Sequence, residues 1–170
     1  MSNVPQSPST LPRTPGPHLI ALPESLAELF ELDVKVAQAS KYLFPLETPE
    51  ELLDFLTVEH KSDTYIWNDP QGNLVGYLSI IPANKDGAFE VLNIGVDPKF
   101  QGLGYGKEMM SYAEHLAKEQ GNTTLALVTN TENTPAIGFY QKIGYTIVRE
   151  AKNYYGDGKT RFIFEKNLVD

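Results

Sequence analysis

The chain has 170 residues, a net charge of −8 and no cysteine; that length suits one domain able to bury its own core, and the missing thiols exclude disulfides, thiolate catalysis and cysteine-ligated zinc. Apolar residues make up 41% and charged residues 21%, the balance of a soluble globular protein. With no basic stripe, no membrane-length apolar run and no charged-then-apolar leader, neither nucleic acid nor membrane is expected as a partner; a cytoplasmic location and a cationic partner such as an amine are.

Residues 1–17 carry five prolines among Ser, Thr and Gly and read as a flexible tail, which leaves 18–170 as one domain. His18–Leu22 reads as a short strand. From Glu24 to Ala39, the residues Leu26, Leu29, Phe30, Val34 and Ala37 recur near one helical face. Thr48-Pro49-Glu50-Glu51 starts a second helix, with Thr48 as cap, Pro49 in the first turn and Glu51 completing a capping box; it runs to about His60. The period then changes. Thr64–Trp67 and Leu74–Ile81 predict a hairpin across the turn-rich residues 68–73. A turn at 83–87 leads to the strand Ala88–Val96, which Asp97-Pro98 stops. A glycine-rich loop precedes a helix from about Gly104 to Gln120, and Gly121 is placed to end that helix in a left-handed conformation.

Thr123–Thr129 reads as a buried strand and Thr134–Ile143 as a short helix closed by Gly144. Tyr145–Tyr154 and Thr160–Leu168 form a last antiparallel pair about Gly156-Asp157-Gly158-Lys159. This order predicts an α/β domain with a mixed, mostly antiparallel central sheet and helices on both faces. The stripe Met109, Met110, Ala113, Leu116 and Ala117 reads as core. His18, His60 and His115 are too scattered to suggest a metal site.

The loop Gln101-Gly102-Leu103-Gly104-Tyr105-Gly106 has three glycines between a strand and a helix. Glycine lets backbone approach a ligand closely, and the unsatisfied N–H groups of a helix's first turn form an anion site. Two nucleotide motifs fail on spacing. From Gly102 the dinucleotide fingerprint would end on Lys107 and from Gly104 on Met109, while the P-loop fails because Glu108 follows Gly106-Lys107.

The loop instead matches the (Gln/Arg)-x-x-Gly-x-(Gly/Ala) motif of the GNAT superfamily of N-acetyltransferases. The strand Val91–Pro98 before it resembles the superfamily's fourth strand, and Lys107–Gln120 its long third helix. Downstream, Asn133-Thr134-Pro135-Ala136, Phe139-Tyr140 and Gly144-Tyr145 resemble its second motif. The likeness covers about residues 18–170 and is strongest from 88 to 145. It implies a GNAT-like acyl-CoA acyltransferase fold with acetyl-CoA as cosubstrate. Backbone groups of Ile94, Gly95 and Val96 would pair with the pantetheine arm like an added strand. The N–H groups of Gly102, Leu103, Gly104, Tyr105, Gly106 and Lys107, with Gln101 opening the motif, would hold the pyrophosphate. Asn133 would contact the cofactor arm or substrate, or serve as a helix cap.

The implied reaction is acetyl transfer to a primary amine of a protein, peptide or small molecule by direct attack on the thioester. By the same resemblance Tyr140 is the candidate acid, near the cofactor sulfur. Glu90 is the candidate base, placed as in the superfamily's histone acetyltransferases. By strand period Glu90 shares a face with Leu92, Ile94 and Val96, where partial burial would raise its pKa. The strand Leu125–Val128 departs from the superfamily's bacterial ribosomal-protein alanine acetyltransferases, which carry a glutamate where this chain has Val128. A non-catalytic acyl-CoA-binding module is the competing reading, and a homodimer through the last strands is a further expectation.

Overall fold

The computed structural model describes residues 14–20, 25–40, 42, 46–82 and 88–169. Most of the proline-rich tail, the segment around Pro23 and the expected turn at 83–87 lie outside the described residues. In chain order the elements are β1 (Gly16–Leu19), α1 (Leu26–Gln38), α2 (Pro49–Asp54, running on into a wide π turn, Phe55–Glu59), β2 (Asp63–Asn68), β3 (Leu74–Ile81), β4 (Phe89–Val96), a 3₁₀ turn (Pro98–Phe100), α3 (Tyr105–Glu119), β5 (Thr124–Asn130), α4 (Thr134–Lys142), β6 (Thr146–Lys152) and β7 (Thr160–Asn167). The expected order of strands and helices is reproduced. Gly16 and Pro17, taken with the tail on composition, pair with Asn68 and Trp67 at the start of β1.

Local chemistry explains the boundaries. The Thr48 hydroxyl accepts from the Glu51 N–H at 3.2 Å. The Glu51 carboxylate reaches back to the N–H of Glu47 at 2.7 Å, one residue beyond a strict capping box. Gly121 and Gly144, with φ of +79° and +96°, follow α3 and α4 as left-handed terminators.

The strands form one sheet in the order β1-β2-β3-β4-β5-β7-β6. The pair β4–β5 is parallel and the other neighbours run antiparallel. On one face, Met109, Met110, Ala113 and Ala117 of α3 pack on Trp67, Leu78, Ile80, Phe89, Val91, Leu125, Leu127 and Phe164. On the other, Leu29, Leu32 and Val36 of α1, with Leu52 and Leu56, pack on Ile66 and Tyr77. Each fully buried side chain of this size contributes roughly 1.5–3 kcal/mol, so both faces hold the sheet. Leu116, expected in the α3 stripe, is half-buried at its margin.

One irregularity positions the site. Along β3–β4 the register runs Ser79↔Asn93 and then Ile80↔Val91, which leaves Leu92 as an extra residue. Such a bulge resets strand alternation and bends the strand. Phe89 and Val91 before it, and Ile94 and Val96 after it, all pack toward α3, whereas Leu92 packs toward α1. Glu90, between Phe89 and Val91, therefore faces α1. It does not share a face with Ile94 and Val96 as strict alternation required. The parallel pairing of β4 with β5 is also short, from Phe89↔Leu125 to Val91↔Leu127. Beyond Val91 the two strands part.

Candidate active site

A cleft of about 1440 Å³ opens where β4 and β5 separate. One wall is the β5-facing edge of Leu92–Val96. β3 satisfies only the other edge of that strand, so the backbone N–H and C=O groups facing the cleft can pair with an extended ligand. The floor is the start of α3. Gly102 and Gly104 have φ of +78° and +94°, a region that side-chain-bearing residues avoid. The bond from Glu108 N–H to the Gly104 carbonyl, at 3.0 Å, opens the helix ladder. The N–H groups of Tyr105, Gly106 and Lys107 thus have no acceptor inside the helix and point outward at its positive end. Gln101 pins the loop to the strand, its Nε2 donating to the Val96 carbonyl at 3.1 Å.

Ten of the eleven expected cofactor contacts line this cleft: Ile94, Gly95, Val96, Gln101, Gly102, Gly104, Tyr105, Gly106, Lys107 and Asn133. Leu103 does not line it; its side chain is 68% exposed, because the loop turns it outward between two left-handed glycines. Asn133 lines the cleft and also caps α4, its Oδ1 accepting from Ala136 N–H at 3.3 Å. Of the two expectations for this residue, the helix cap is the one observed.

The two expected catalytic side chains are placed differently. Tyr140 sits in the cleft wall, 8% exposed, with its ring against Tyr145 and Phe164. Burial pushes its hydroxyl up to about 12, so it keeps its proton through the neutral range. Glu90 is buried at 3% exposure and is not among the cleft-lining residues. Its carboxylate instead lies close enough to the Tyr155 hydroxyl to raise that group's pKa, after desolvation as the larger cause. The Tyr155 side chain itself is 46% exposed, so solvent moderates both effects.

Two groups at the site escaped the sequence reading. Glu114 of α3 and Lys166 of β7 form an ion pair at the cleft wall, with Nζ to Oε1 at 2.9 Å and Oε2 at 3.0 Å. The Tyr145 hydroxyl donates to the same carboxylate at 3.1 Å. On the α1 face, buried Asp33 accepts from the Tyr77 hydroxyl at 2.5 Å and also hydrogen-bonds the side chain of Asn93, which lines the cleft. Burial raises the Asp33 pKa, and these two hydrogen bonds pull it partly back. A signal existed: Leu29, Asp33 and Val36 fall on one helical face, and an acid in an apolar stripe needs a partner. The residue to pair it with was not readable locally. Among the described residues no group of three or more His, Cys, Asp or Glu side chains could hold a metal ion, and no helix is long and apolar enough to cross a membrane.

Residues 26–145 match the model of the acetyltransferase (GNAT) family, well over half of the chain. The chain belongs to the GNAT family. Among GNAT relatives, the N-alpha-acetyltransferase RimI of Mycobacterium tuberculosis is 31% identical over 93 residues, covering 54% of this chain and 57% of that protein. The crystal structure of the ribosomal-protein-S18-alanine N-acetyltransferase from Escherichia coli superposes with a TM-score of 0.70 at 19% identity, covering 91% of this chain and 94% of that one. A GNAT acetyltransferase from Elizabethkingia anophelis, crystallised with acetyl-CoA bound, superposes with a TM-score of 0.65 at 21% identity, covering 89% and 95%. These likenesses establish the GNAT fold. The chain spans between 25% and 57% of the length of the first curated relatives it matches.

Proposed function

We propose that this GNAT chain binds acetyl-CoA in the β4–β5 cleft and passes the acetyl group to a primary amine by direct attack on the thioester. One observation carries the reading. The cleft joins an open strand edge, Leu92–Val96, to the unsatisfied N-terminus of α3. The open edge suits an arm built of peptide-like amides. The helix terminus suits the pyrophosphate at the end of that arm.

The residues fit such a ligand at both ends, and the cosubstrate supplies an activated acetyl group as a thioester. Ile94, Gly95 and Val96 hold the arm through their backbone. Their N–H groups also offer donors for the carbonyl oxygen that gains charge during attack. Gly102–Lys107 and Gln101 form the pyrophosphate cradle. Tyr140, protonated and at the cleft wall, is the group that gives a proton to the departing sulfur in this reading. For the amine proton the candidate on this chain remains Glu90, reached through Tyr155 or a water. Several relatives carry names for protein N-alpha-acetyl transfer, so the α-amine of a peptide is the first acceptor to test.

The test has two readings. Thermal stabilisation by acetyl-CoA reports binding to the native state. Free-thiol release is then measured against an alanyl tetrapeptide, spermidine and kanamycin. Stabilisation with release on at least one amine is expected. Stabilisation without release on any amine would favour a non-catalytic acyl-CoA module, and no stabilisation at saturating acetyl-CoA would sink both readings.

A further inference from the structure

Trp67 of β2 and Glu108 of α3, 41 residues apart in sequence, meet through their side chains. The indole is buried at 1% exposure, and its Nε1–H donates to Glu108 Oε1 at 3.0 Å. Tyr112, one turn further along α3 and on the same flank as Glu108, packs T-shaped on the indole with ring centroids 5.3 Å apart. Core packing and Tyr112 thus fix the indole, whereas Glu108 is an exposed residue on a helix surface. Of the two partners it is the glutamate whose freedom the bond removes.

The place of that acid gives the bond its consequence. Glu108 is the acidic residue in the first turn of α3, and the helix opens on Gly104, which has no side chain to cap it. The N–H groups of Tyr105, Gly106 and Lys107 are left without an acceptor inside the helix. An acidic side chain in a first turn is drawn to such groups, and a helical side chain leans back over the turn before it. Left free, the Glu108 carboxylate would be an anion built into the anion site. It is turned aside instead: Lys107 lines the cleft, and Glu108, the next residue, does not.

We propose that Trp67 is a positioning residue for the pyrophosphate cradle: its indole N–H holds the Glu108 carboxylate off the N-terminus of α3 and so keeps that anion site free for the cosubstrate. The proposal rests on the acetyl-CoA reading and adds to it a residue that does not line the cleft. A neutral acceptor would satisfy the indole equally well. A carboxylate in this turn stabilises the positive end of the helix, and the tie keeps it from competing there with a polyanion.

Calorimetry with acetyl-CoA tests this without turnover. Absence of binding by the wild-type protein would sink the cofactor reading and this proposal with it; every other outcome concerns Trp67 and Glu108 alone. Glu108→Asp keeps the charge in the first turn but is too short for the indole. It is expected to weaken acetyl-CoA binding about three- to tenfold, the scale of a unit charge brought close to a phosphate in water. That loss should shrink in about 1 M salt; a loss that persists there is not electrostatic and overturns the proposal. Glu108→Gln keeps an acceptor for the indole without the charge, and should bind within about twofold of wild type. Trp67→Phe removes the N–H and should weaken binding as Glu108→Asp does, and the double variant, Trp67→Phe with Glu108→Gln, should recover it. Wild-type affinity in Glu108→Asp, or a Trp67→Phe defect that persists in the double variant, overturns the proposal, and Glu108→Asp decides alone if Trp67→Phe fails to fold. Trp67 is the only tryptophan of the chain, so its emission reads the bond directly. A shift is expected in Glu108→Ala, and emission identical to wild type overturns the proposal as well.

Discussion

Gly95 lies so close to the ring of Tyr77 that a Cβ on it would stand 2.6 Å from Cε1 and 2.7 Å from Cζ. The missing side chain lets a fully buried tyrosine cross β4 and reach Asp33. Gly95→Ala therefore overpacks the α1 face, at a cost of about 1–3 kcal/mol, or a fall in Tm of roughly 3–10 °C for a domain of this size. Gly106→Ala is the contrast, because its Cβ would meet nothing nearer than Phe139 Cζ at 3.4 Å and alanine is the better helix former. Thermal unfolding should show a clear loss for the first and none for the second, with stabilisation by acetyl-CoA kept in Gly106→Ala.

The bond from Gln101 to the Val96 carbonyl ties the loop to the strand that precedes it. Gln101 is exposed, so Gln101→Ala should leave Tm nearly unchanged. Freed, the loop must be ordered by the ligand, and the acetyl-CoA KM should rise about three- to tenfold, the scale of one net hydrogen bond. A KM within twofold of wild type would show that the glycines hold the loop without the tie.

Tyr140→Phe removes the hydroxyl and keeps the ring packed on Tyr145 and Phe164. Loss of a general acid predicts a kcat at least about tenfold lower with the fold intact; an unchanged kcat would take Tyr140 out of the mechanism. The same hydroxyl predicts an alkaline signature. Burial holds its folded pKa at about 12, above the ordinary tyrosine value of 10.0. The unfolded chain therefore loses this proton first, and stability that is full below pH 10 drains away between pH 10 and about 12. The effect is on the order of 2–3 kcal/mol, and denaturant melts across that window should show a shallower fall for Tyr140→Phe.

Glu90→Gln tests a base that the cleft does not touch directly. If this carboxylate takes the amine proton through Tyr155 or water, kcat/KM should fall most at low pH, where deprotonation is hardest. A loss equal at every pH, or none, would give the proton to bulk solvent. Tyr155→Phe should then copy Glu90→Gln only if the route runs through that hydroxyl.

Much of the site was legible because it is local. Gly102 and Gly104, the helix that follows, and the α4 cap at Asn133 all depend on neighbours within a few residues, and turn chemistry acts over that range. Tyr140 was legible through the second motif, in which its spacing from Asn133 and Tyr145 is written. Glu90 was misplaced for a reason period-2 counting cannot see. Leu92 is one residue too many against β3, so every side chain after it changes face. Leu103 was named for its backbone, and its outward side chain follows from the glycines on either side.

By itself the sequence determined the order of strands and helices, the two cores implied by their apolar stripes, and a glycine-led helix terminus after β4. Those follow from alternation, helical spacing and backbone preferences, all of which act along the chain. Only the tertiary structure decided where β4 parts from β5, which way Glu90 faces, and that Asp33, Tyr77 and Asn93 meet. Tyr77 lies 44 residues from Asp33 in sequence. Strand register and buried polar pairing are settled by which distant groups satisfy one another once water is excluded, and nothing at either residue alone names its partner.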